Sequence, residues 1–136
     1  MSQRIHLDAN VILRFLRNDD PRQSPAAARL IQKAADGTVT LFVSTVIINE
    51  VFFVFTSFYK LSHPEAAGIL LPFVRAGVIE FEHEDCLVDA LQRVVSGNVV
   101  FRDAYLAASA AQAKDLVASF DRDLRNFSDI QLYDLI

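Results

Sequence analysis

The sequence predicts an α/β protein built on a central parallel sheet of about five strands, covered on both faces by helices. Three observations predict it. Five short segments read as strands and alternate with longer stretches of helical pattern, the order expected of βαβ units. Helix starts and stops are marked by capping residues and glycines. The 136 residues, 52% hydrophobic and 22% charged, suit one core and exclude disorder, so residues 1–136 are read as a single domain.

The first strand is expected over residues 4–7 and the first helix over 9–17. Ser24 followed by Pro25 reads as an N-cap and first helical residue, opening a helix over 25–36. A strand over 38–43 follows. The next helix, 45–60, is apolar nearly all round (Val46, Ile47, Ile48, Val51, Phe52, Phe53, Val54, Phe55 and Phe58). Such a helix belongs in a core or against another subunit. Ser62 with Glu65 forms a capping box for a helix over 63–76, and Pro72 is expected to kink or split it. A strand over 78–81 and a helix over 84–96 come next. The helix over 103–114 is rich in alanine (Ala104, Ala107, Ala108, Ala111) and can lie close against the sheet. Strands over 116–120 and 131–135 flank a short turn after Asp121. Gly37, Gly77 and Gly97 fall where helical patterns stop, the place for a left-handed residue.

Charge and composition narrow the function. Seventeen acids against 13 bases give a net charge of −4, so a broad basic nucleic-acid footprint is not expected. No apolar run can span a bilayer, and the N-terminus carries no apolar signal stretch. A single cysteine, Cys86, forms no internal disulfide and reads as helix packing rather than as a nucleophile. The expectation is a soluble, cytoplasmic protein with no membrane partner.

In an open parallel sheet, ligands bind beyond the carboxyl ends of the strands. Asp8 follows the first strand and Asp121 the fourth. Glu50 lies in the first turns of the helix after the second strand, and Asp103 opens the helix before the fourth. These four acids are expected to converge on one edge. Each has a local alternative, because Asp8 and Asp121 suit N-caps and Asp103 complements a helix dipole. Glu50 is harder to explain locally. It lies between Ile48 and Val51 on an apolar helix, where an ionised carboxylate is costly unless paired or metal-bound. Four clustered anions repel one another, and Mg²⁺ (or Mn²⁺) with oxygen ligands relieves that repulsion. Setting these four aside leaves acids and bases equal in number.

Four segments carry a resemblance. Leu7-Asp8-Ala9-Asn10-Val11-Ile12-Leu13 resembles the opening motif of PIN-domain nucleases, and Ser44-Thr45-Val46-Ile47-Ile48-Asn49-Glu50-Val51 their second. Phe101-Arg102-Asp103-Ala104-Tyr105-Leu106-Ala107-Ala108 is similar to their third motif, and Ser119-Phe120-Asp121-Arg122-Asp123-Leu124 to their fourth. Within that family the chain resembles the VapC toxins of toxin–antitoxin pairs, as does Asn18-Asp19-Asp20-Pro21. The resemblance implies a PIN-like three-layer α/β/α sandwich and Mg²⁺- or Mn²⁺-dependent cleavage of RNA, held in check by a cognate VapB-like antitoxin. It implies Asp8, Glu50, Asp103 and Asp121 as catalytic metal ligands, with Asn10, Ser44 and Ser119 in support. The fourth motif carries Asp123 beside Asp121, and which of the two faces the metal stays open.

Weaker signals complete the reading. Arg14, Arg17, Arg22, Arg29 and Lys33 place basic groups in one stretch, and Arg102 and Arg122 adjoin two of the acids. Arg14, Arg17, Arg102 and Arg122 are candidate phosphate contacts; a solvated helix face is the alternative. The histidines His6, His63 and His83 lack metal-ligand spacing and do not suggest zinc or imidazole catalysis. Phe52, Phe53, Phe55, Phe58 and Tyr59 exceed what one helix face buries, so part of the series is expected to form a homodimer contact or an antitoxin groove. Other readings are a PIN-type nuclease acting in RNA maturation or on DNA, and a catalytically silent interaction domain. A phospho-acceptor domain would want an acidic pair ending the first strand, where only Asp8 stands.

Overall fold

The computed structural model describes residues 3–136. Chain order is β1 (Gln3–His6), α1 (Ala9–Arg17), α2 (Gln23–Ala35), β2 (Val39–Val43), α3 (Thr45–Ser57), α4 (His63–Arg75), β3 (Glu80–Phe81), α5 (Glu84–Ser96), α6 (Phe101–Ala113), β4 (Leu116–Val117), a 3-10 turn (Arg122–Asn126) and β5 (Gln131–Leu132). The α/β class and the parallel sheet are as the sequence predicts. β2 is central, with β1 beside it in the register Gln3↔Val39 to His6↔Phe42, and β3 on its other side.

The main sheet is smaller than the about five strands expected. Among the described residues the first three strands form one sheet, and β4 and β5 form a separate parallel pair. The reason lies in length. β3, β4 and β5 have two residues each and carry few ladder bonds. β4 stops at Val117 rather than at residue 120, and the Phe120 ring stands in solvent.

Helix ends follow local chemistry. Ser62 and Glu65 form the expected capping box. Gly37 and Gly77 take positive φ angles of 79° and 75°, satisfying the left-handed stop. Gly97 does not: its backbone is extended, and an added Cβ would sit 3.0 Å from the Arg93 carbonyl oxygen. The Ser24–Pro25 cap is also corrected. α2 starts at Gln23, and the Asp20 carboxylate accepts from the amides of Arg22 (2.9 Å) and Gln23 (2.7 Å). Pro25 then lies in the first turn, where no N–H is required. Pro72 does not split α4, which runs unbroken to Arg75.

The main core gathers Leu41 and Val43 of β2 with the inner faces of α3, α4, α5 and α6. α5 lies between α4 and α6. The alanines of α6 serve mainly this helix contact, since Ala104 and Ala108 are buried in the main core. Fully buried Leu70, Leu87, Leu91 and Val94 each contribute about 1.5–3 kcal/mol through removal from water. A second, smaller core joins Ala110 of α6 to Val117 and Leu124, with Phe127 and Ile130 against it. Arg93 of α5 clips this part down. It donates to both oxygens of Asp129 and from Nε to Asp89 (2.9 Å), and it lies over the Phe127 ring at 5.3 Å.

α3 is not buried all round. Ile48, Val51, Phe52 and Phe55 face the core, whereas Val46, Phe53 and the C-cap Phe58 are exposed. No helix among the described residues is long and apolar enough to cross a membrane.

Candidate metal centre

The first turns of α6 are tied to the end of the three-stranded sheet. β2 runs into α3 through Ser44, whose side chain makes no cap. Glu82, just after β3, caps α3 instead, accepting from the Thr45 amide at 3.0 Å. This bond holds the Glu82 carboxyl below its usual range. The Thr45 hydroxyl meets the Tyr105 hydroxyl of α6 at 3.4 Å, and Phe52 stacks on Phe101 at 5.3 Å. Asp103 is therefore carried on a helix start that packs against the start of α3.

The 3-10 turn brings two more acids to Asp103. Ser119 Oγ accepts from the Asp121 amide (2.9 Å), and the Asp121 carboxylate accepts from the Asp123 amide (2.9 Å). These bonds fix a tight loop in which both acids face one side. Asp103, Asp121 and Asp123 each offer an oxygen, and those oxygens all lie within 4.8 Å of one another. The Asp103 side chain is only 13% exposed. Burial raises its pKa first, and the charge of Asp121 raises it further, with Asp123 adding to both. Arg102 opposes this from 3.9 Å but is 85% exposed, so solvent weakens its effect.

Asp8 and Glu50 are not members of that tight set. Asp8 caps α1, with its Oδ1 accepting from the Ala9 amide at 2.7 Å, and it is exposed at the carboxyl end of β1. Glu50 is exposed on the open side of α3. The expectation that Glu50 is buried is corrected, and with it the argument from desolvation cost. A helix apolar in composition still leaves one side to water, and Asn49 and Glu50 lie there.

The PIN domain family model matches residues 5–130, which include all of these acids. The chain belongs to the PIN domain family. No curated protein sequence matches it. PIN domains are in general metal-dependent nucleases, a hydrolase chemistry that needs clustered carboxylates.

The residues of this PIN domain fit a divalent cation. Three carboxylates in mutual reach, one pushed toward protonation by burial and then by its acidic neighbours, form the hard-oxygen donor set such an ion takes. Both Asp121 and Asp123 belong to the cluster, so the fourth motif contributes two acids. Asn10 lies exposed on α1, beside a cavity of about 400 Å³ between α1 and α2 that Arg14 also lines. Arg14 is engaged by Gln23 (2.9 Å) and Asp19 (3.2 Å), and Arg17 lies over the Tyr59 ring at 4.9 Å. Arg102 and Arg122 remain next to the acids, with Arg122 lining a cleft that Asp121 shares. Glu82 and Tyr105 are positioning groups that the sequence alone does not single out. Tyr105 stands inside the third motif, whereas Glu82 lies in an acidic run 37 residues from the Thr45 amide it caps.

Proposed function

We propose that this PIN domain is a Mg²⁺- or Mn²⁺-dependent endoribonuclease, hydrolysing RNA phosphodiester bonds as the toxin of a toxin–antitoxin pair. The observation that carries the nuclease reading is the convergence of Asp103, Asp121 and Asp123. Their repulsion is relieved when they hold a cation, and Asp8 and Glu50 would complete the donor set from the adjoining strand and helix ends. A divalent ion held there supplies Lewis-acid polarisation of a phosphate oxygen and acidifies a bound water. The chain's own groups do the rest. Ser119 fixes the Asp121 loop, so the carboxylates need not reorganise around substrate. Tyr105 and Thr45 hold the start of α6 in place. Arg122 offers a cation to the phosphates that flank the cut.

The toxin role rests on the resemblance of the four motifs. The exposed Val46 and Phe53 of α3, with Phe58 at its C-cap, suit the rim of a homodimer contact, although Asn49 and Glu50 share that side, and an antitoxin would have to cover the acidic cluster or its approach. A cytoplasmic location accords with an RNA substrate.

Incubation of the purified chain with RNA tests the activity. Cleavage should require Mg²⁺ or Mn²⁺, stop with EDTA, and vanish in Asp103→Asn while the circular dichroism spectrum is unchanged. Equal cleavage by Asp103→Asn would exclude the site. Cleavage of DNA but not RNA would assign a different substrate to the same centre.

A further inference from the structure

A cleft of about 470 Å³ lies against the acidic cluster and shares Asp121 with it. Its walls carry two kinds of group with no structural employment. Phe120, next to Asp121 in the chain, is 78% exposed, and Tyr133 is 56% exposed. The second core lies nearby, yet it takes in Val117 and Leu124 and leaves both rings outside. Arg122 and Arg125 line the same cleft, and neither makes an ion pair among the described residues. Asp134, the other acid in the wall, accepts from the Ile136 amide at 3.2 Å.

We propose that this cleft is a subsite for single-stranded RNA, in which Phe120 and Tyr133 stack bases while Arg122 and Arg125 hold phosphates. The proposal rests on the nuclease reading of the adjoining cluster and adds how the strand is gripped beside it. Ring faces next to unpaired guanidinium groups match the alternation of base and phosphate along a single strand. A duplex cannot use the rings, because its bases are already stacked on one another. An apolar protein partner fits less well, since it would have to bury both arginines without a counter-charge. The cleft meets the cluster at Asp121, which belongs to both, so a strand held here passes beside one of the three carboxylates.

Fluorescence anisotropy on the full chain tests this. The Asp103→Asn background keeps the RNA intact during the measurement. Probes are a short single-stranded RNA, the same strand with abasic riboses, and its duplex. Replacing both rings (Phe120→Ala with Tyr133→Ala) should weaken binding of the intact strand by about tenfold or more. The abasic strand should bind the ring-bearing and ring-less proteins alike, and Phe120→Trp with Tyr133→Trp should restore affinity for the intact strand. Arg75→Ala, a surface arginine on α4, is the charge control and should change nothing. Ring-less protein that binds the intact strand within about twofold of its parent would overturn the proposal. So would equal binding of intact and abasic strands, or no binding of the single strand at all. Metal-dependent cleavage by the unaltered chain is measured alongside. Cleavage without base-dependent binding removes the subsite and keeps the nuclease, whereas base-dependent binding without cleavage does the reverse.

Discussion

Burial and the neighbouring Asp121 carboxylate push the Asp103 pKa above the ordinary carboxylate range in the folded chain. The folded state then binds more protons than the unfolded state between the two values, so this group costs stability as pH rises through that window. Measured in EDTA by calorimetry, Asp103→Asn should gain on its parent in Tm as pH climbs from the carboxylate range toward neutrality. Mg²⁺ should reverse the order by stabilising the parent, by about 2.7 kcal/mol at a hundredfold excess over Kd. A flat difference across pH would show that neither burial nor like charge raises Asp103 in the folded chain. The four motif acids were legible as residues, but their surroundings were legible only in part. The apolar neighbours of Glu50 predict burial, but a list of neighbours does not say which side of a helix meets water. Asp123 was visible beside Asp121, but only the 3-10 turn, set by the Asp121 cap on the Asp123 amide, turns both carboxylates toward Asp103.

The helices were more legible than the strands. α1 and α5 run where the pattern places them, and α3, α4 and α6 differ only at their ends, because caps and glycines are local signals. Strand pairing is non-local, and two-residue strands leave little pattern to read. The C-terminal part shows the consequence: it is docked by a small core and by Arg93 rather than by a long ladder. The Asp129 carboxyl is held below its usual range first by the Arg93 hydrogen bond. Its contribution is present above the unfolded carboxylate pKa and is lost as pH falls through the lowered folded value. Arg93→Ala should therefore cost about 1–3 kcal/mol, because it leaves Asp129 and the half-buried Asp89 without their partner. Hydrogen exchange should locate the loss, with the Tyr133 amide, bonded to the Val117 carbonyl at 2.7 Å, opening first. Unchanged exchange there in Arg93→Ala would assign the docking to Leu124 and Val117 alone.

At the scale of the molecule, the exposed side of α3 departs from a self-contained fold. Val46, Phe53 and Phe58 are large, apolar and open to water, while the opposite side of the helix is fully packed. The sequence announced an excess of aromatic groups here, and the structure sorts them: Phe52 and Phe55 go inward, Phe53 and Phe58 outward. If that side is a homodimer contact, Phe53→Glu should shift the chain from dimer to monomer in sizing with light scattering, without loss of helix content. A chain that is monomeric before the substitution would rule the contact out.

The acidic cluster also straddles a seam. Asp103 belongs to a helix rooted in the main core, whereas Asp121 and Asp123 ride on the turn that roots the smaller one through Leu124. An ion gripped by all three would rivet the chain's last segment to its body, so catalytic competence and the seating of that segment would rise and fall as one.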